Sequence, residues 1–142
     1  MVKDFCLAWE KNKWKLEEYF RVTKQGEYSD YKDLVKLLFD IVINPAIKNS
    51  YERFDTKNIV VIDGGDYQGT LAFILHREEY QPSVEDYVYT NTQYGSCSYC
   101  DTLQGIHGYE SGLPDEQQVK DYMSLCLHLL QRCNFMIDIE ED

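Results

Sequence analysis

The sequence lacks any apolar run long enough to cross a membrane. Its longest, around Leu34 to Ile43, is broken by Lys36 and Asp40. The N-terminal stretch MVKDFCLAWEKNKWKLEEYF is charged every few residues and has no apolar h-region, so no signal peptide is expected. Histidine is scarce: the three residues His76, His107 and His128 are scattered, and no Ser-His-Asp or Cys-His arrangement can be assembled from their spacing. Basic residues nearly disappear after Lys57. From Asn58 to Asp142 only Arg77, Lys120 and Arg132 oppose fifteen carboxylates, a net charge of −12, whereas the residues through Lys57 sum to +1.

A surface that acidic repels the phosphates of nucleic acids and membranes and attracts basic protein surfaces. The expected partner is therefore another protein, with no direct nucleic-acid binding and no membrane. The simpler reading, that net charge keeps a small domain soluble, needs no partner. At 142 residues the chain has the length of one domain, 1–142, able to bury a core without staples. Five cysteines cannot all pair within one chain, and without an export signal they are expected as reduced thiols in a cytoplasm.

Two periodicities divide the chain. Phe5, Trp9, Leu16 and Phe20 recur at helical steps and predict a helix over Lys3 to about Lys24, interrupted by Asn12 and stopped by Gly26. Ser29 or Asp30 is placed to cap a second helix with the stripe Leu34, Leu37, Leu38, Ile41 and Val42, ended or kinked by Pro45. After Lys57 the pattern changes. Ile59–Ile62 and Leu71–Leu75 read as a hairpin around Asp63-Gly64-Gly65-Asp66-Tyr67-Gln68-Gly69. Asp86–Tyr94 is strand-like, with mixed residues on both faces. Ser98 has capping-box spacing before a short helix at 101–106. Asp115 with Gln118 opens a long one whose inward set is Val119, Tyr122, Met123, Cys126, Leu130 and Cys133. Phe135–Ile139 is a candidate last strand. The expected class is α+β: two N-terminal helices, a small antiparallel sheet of three or four strands, a short helix and a long C-terminal helix.

Few constellations carry chemistry. Cys97-Ser98-Tyr99-Cys100 has the spacing of a redox pair, but Asp101 beside it favours the thiol over the thiolate. With His107 the same pair is half of a zinc site, and no second CxxC or HxxxH completes it. Small buried residues anchoring a short helix is the favoured reading, with zinc as the alternative cofactor and Cys97, Cys100 and His107 as its ligands. The Asp63–Asp66 loop has too few oxygens for calcium and no following helix for phosphate, so it reads as a turn. Glu78-Glu79 and Glu85-Asp86 read as solvated charges, and His76 as an exposed strand end.

The tyrosines point to binding. Six of twelve fall between residues 80 and 109, among small polar and acidic residues. Tyrosine in such company gives rigid amphipathic contact area, although strand propensity explains part of the enrichment. The expected contact set is Asp63, Asp66, Tyr67, Glu85, Asp86, Tyr87, Tyr89, Tyr94 and Tyr99, with no catalytic residue.

Asp66-Tyr67-Gln68-Gly69-Thr70-Leu71 followed by Tyr94-Gly95-Ser96-Cys97-Ser98-Tyr99-Cys100-Asp101-Thr102-Leu103-Gln104 resembles a pattern in small uncharacterised proteins of bacteriophages and mobile elements, over about residues 58–107. The resemblance implies a setting, a phage-infected bacterial cytoplasm, and brings no activity with it. In that setting the expected function is a non-catalytic inhibitor of a basic nucleic-acid-handling host or defence protein, of the anti-CRISPR or anti-restriction type. A structural part of a phage particle or replication complex is a further alternative.

Overall fold

The computed structural model describes residues 3–28, 30–64, 69–94, 102–106 and 112–137. Helix α1 (Lys3–Val22) buries Phe5, Ala8, Trp9, Asn12, Leu16 and Phe20, one stripe at helical spacing that includes the asparagine. Asn12 does not interrupt the stripe: it is 2% exposed, and its Nδ2 donates to the Val42 carbonyl at 2.9 Å. The stop comes earlier than Gly26. Helix α1 ends at Val22, and a 3-10 turn follows at Gln25–Tyr28.

Helix α2 (Tyr31–Leu37) opens on Asp30, whose side chain accepts from the Asp33 N–H while Asp33 bonds back to the cap. The other expected cap, Ser29, lies outside the described residues. Helix α2 continues as a π-helical segment, Leu38–Ile43, and then a 3-10 turn containing Pro45. The wider π turns rotate the buried face, so Val35, Phe39 and Ile43 go inside with Leu34, Leu38 and Val42. Leu37 and Ile41, expected inside, sit at its margin. Val42 is near the end of this segment, where carbonyls run out of helical partners, and Asn12 supplies one.

Among the described residues four antiparallel strands form one sheet in the order β1 (Val60–Asp63), β2 (Gly69–His76), β3 (Tyr87–Tyr94), β4 (Asn134–Phe135). Of the expected strand Phe135–Ile139, Met136 and Ile137 form a helical turn, and Asp138 and Ile139 lie outside the described residues. Helix α3 is Thr102–Ile106, and α4 (Glu116–Gln131) carries the expected capping box of Asp115 and Gln118. Buried α4 residues are Val119, Tyr122, Leu125, Cys126, Leu129 and Leu130; Met123 is only half-buried. The architecture is α+β.

The mixed faces of β3 resolve through α4. Val88, Thr90 and Thr92 are buried, and the Thr90 hydroxyl donates to the Leu129 carbonyl at 2.6 Å. Leu129 lies in the last turn of α4, where carbonyls lack helical donors, so a threonine is useful on the core face. Phe135 lies opposite Val88 on the same inner face and packs against Phe5 with ring centroids 6.3 Å apart. Phe20, Tyr28 and Tyr122 form a second aromatic group, with centroids 5.0 to 5.3 Å apart.

Candidate protein-docking face

Strand alternation and register define the other face of the sheet. With Phe73, Leu75, Val88 and Thr90 turned inward, Val60, Ile74 and Tyr89 form one outward row across three strands. Ile62, Ala72 and Asn91 form the row on one side of it, and on the other side His76 pairs with Tyr87, their rings 5.6 Å apart. Val60 and Ile62 are 52% and 50% exposed, and Ala72, Ile74, Tyr87 and Tyr89 are half-buried. The core helices lie on the opposite face. An aliphatic and aromatic surface of this kind, partly exposed and with no described helix over it, has the character of an interaction site.

The β2–β3 connection supplies the charge beside this face. Glu78, Glu79 and Glu85 are exposed there, and Tyr80 is 98% exposed. Its cation, Arg77, is tied down: the guanidinium lies 4.9 Å from the Phe54 ring centre and 5.5 Å from that of Phe135, and Nη1 donates to the Glu52 carbonyl at 2.6 Å. Nε lies 4.0 Å from Asp86. The solvent side of the connection is therefore acidic.

Asp86 differs from its expected role as a solvated contact. It is buried, and its Oδ2 accepts from the Ser83 N–H at 2.9 Å and from the Ser83 hydroxyl at 3.3 Å. The Ser83 N–H is the main cause holding the Asp86 carboxyl below its ordinary pKa. Glu79 is raised, first by desolvation and then by the Asp86 charge. His76 is likewise only partly exposed. Its Nδ1 lies 2.7 Å from the Arg77 carbonyl, so Nδ1 donates, and Nε2 lies 3.8 Å from Asp55. The Asp55 carboxyl is lowered chiefly by the Asn58 side-chain amide at 2.7 Å.

The expected contact residues separate. Tyr87 and Tyr89 share the outward face, and Glu85 stands two residues before Tyr87 in the acidic connection. Asp63 is exposed at the end of β1, opposite Leu71 and on the inward side of the sheet. Tyr94 ends β3 opposite Gly69. Asp66, Tyr67 and Tyr99, and the alternative ligands Cys97, Cys100 and His107, lie outside the described residues. The aliphatic row of Val60, Ile62, Ala72 and Ile74 was missed because such residues read as core. One signal was present: in Thr70–Leu75 the bulkier set Leu71, Phe73 and Leu75 alternates with Thr70, Ala72 and Ile74, and the bulkier set is the one facing inward.

Among the described residues no group of three or more His, Cys, Asp or Glu is placed to hold a metal ion. Cys126 and Cys133 are core fillers whose thiol pKa values burial pushes up, that of Cys133 to about 12. A cleft of about 560 Å³ lies between α1 and the 43–54 turns, over a floor that includes Phe5, Ala8 and Phe54. Arg77 lines it, already committed to Glu52 and Asp86. No described helix is long and apolar enough to cross a membrane. No protein-family model matches this sequence, and neither a curated protein nor a solved structure is detectably similar to it.

Proposed function

We propose that this is a non-catalytic binding protein that docks on a basic protein surface through the outer face of its sheet. The observation that carries the reading is the outward row Val60–Ile74–Tyr89, with Val60 52% exposed and Ile74 and Tyr89 half-buried, on a sheet whose β2–β3 connection carries the exposed acids Glu78, Glu79 and Glu85. Tyr89 and the aliphatic row supply desolvated contact, and the carboxylates steer the encounter and set its orientation. A basic surface built to hold nucleic-acid phosphates is the natural complement, so the partner class is a nucleic-acid-handling enzyme. In the phage setting implied by the DYQGTL and YGSCSYCDTLQ segments, the role is inhibition of a host or defence enzyme by occupying that surface.

The test is affinity capture from bacterial lysate at low ionic strength. A basic nucleic-acid-binding protein, retained at low salt and released as salt rises, is the expected outcome. If no such protein is retained at low salt, the reading fails.

A further inference from the structure

The cleft between α1 and the 43–54 turns runs against the charge of the molecule. Its volume of about 560 Å³ is that of a small-molecule site. Phe5, Ala8, Ile43 and Phe54, all core residues, line its floor. Lys11, Lys48 and Arg77 line it against Asp4 and Glu52, on a chain with 14 Lys and Arg to 25 Asp and Glu. Asp4 stands in the first turn of α1, where the positive end of the helix offsets its charge. Lys11 and Lys48 are exposed, and neither has an ion-pair partner among the described residues.

Arg77 is the specific element. Its side chain is 24% exposed and packs on the Phe54 and Phe135 rings, so the guanidinium is held in place. The Glu52 carbonyl engages Nη1, and Asp86 lies 4.0 Å from Nε. Nη2 makes no hydrogen bond among the described residues. A sheltered cation with two free N–H groups is completed by an anionic oxygen. The wall formed by the turns is fixed in advance. Asn44 donates to the Phe54 carbonyl at 3.0 Å and accepts from the Phe54 N–H at 2.9 Å, and Arg53 Nε donates to the Ile47 carbonyl at 2.9 Å.

We infer that this cleft binds a small organic acid with an apolar body. Its carboxylate pairs with Arg77, Lys11 and Lys48 supply the attractive field, and its hydrocarbon lies on the floor of Phe5, Ala8, Ile43 and Phe54. Leu7, 61% exposed on α1 one turn before Lys11, also lines the cleft and gains cover from such a ligand. An alcohol of the same length offers Nη2 an uncharged acceptor, and an amine sets a cation against all three bases. The outward sheet row contributes no residue to the cleft, so the inference does not rest on the proposed partner.

Isothermal titration of the full chain with octanoate tests it, with 1-octanol and octylamine as controls of equal length. The expected result is saturable one-to-one binding of octanoate, about tenfold tighter than that of octanol, and no binding of octylamine. Arg77→Gln should weaken octanoate binding about tenfold and leave octanol binding unchanged. Arg77 also packs on Phe54 and Phe135, so a melt must show that this variant folds. The double variant Lys11→Glu/Lys48→Glu changes exposed side chains alone and keeps the test open if Arg77→Gln does not fold. It too should weaken octanoate binding about tenfold and spare octanol. No saturable octanoate binding up to about 5 mM overturns the inference. So does equal affinity for octanol, or octanoate binding indifferent to the lysine exchange.

Discussion

Single side chains decide how the helices meet the rest of the core. Asn12 is a polar residue at a core position because Val42, at the end of a π-helical segment, offers a carbonyl without a helical donor. Replacing Asn12 by Ala strands that carbonyl and should cost about 1–3 kcal/mol, read as a lower midpoint in urea with an unchanged slope. Asp86 gives a pH dependence. Its folded-state pKa, like that of Asp55, lies below the ordinary value, so the unfolded chain binds more protons between the two pKa values. The stability these groups contribute is fully present above about pH 4 and is lost as pH falls through the folded values. Melts between pH 7 and pH 3 should show that acid limb, and Asp86→Asn should flatten it. Asn12 also shows why residue roles were only partly legible. Its polarity was visible in the sequence, but the carbonyl thirty residues away that satisfies it was not.

Elements were more legible than faces. The capping box of Asp115 and Gln118 is local chemistry, readable from spacing, and the structure shows both halves, with Asp115 Oδ1 accepting from the Gln118 N–H at 2.8 Å and Gln118 Oε1 from the Asp115 N–H at 2.9 Å. Asp115→Ala should cost about 1 kcal/mol in a thermal or chemical melt, because it orphans a donor in the first turn of α4. The second helix was legible as a helix, but its buried face was not. A stripe drawn at 3.6 residues per turn selects Leu37 and Ile41, and the π turns over Leu38–Ile43 bring in Phe39 and Ile43 instead. Burial of β3 was unreadable for a similar reason: Thr90 is inside because α4 ends against it, and where α4 ends relative to the sheet is a tertiary fact. The aliphatic run of β1 looks like core from its composition and lies at an exposed edge.

At the scale of the whole molecule the charge is divided along the chain, and the acidic half carries a partly exposed apolar sheet face. Steering by exposed carboxylates is screened over about 8 Å at physiological ionic strength, so association with a basic partner should slow steeply as salt is added. Charge reversal at Glu78 and Glu85 should slow association while leaving the melt unchanged, since both side chains are exposed. The apolar row should behave the other way, controlling how long the complex lasts once formed. The most direct measurement is therefore a parallel capture from host lysate at low ionic strength by the parent and by an Ile74→Ser/Tyr89→Ser variant shown to keep its fold. A basic nucleic-acid-handling protein should be held by the parent and lost by the variant. Equal retention of that protein by both would contradict docking through this face.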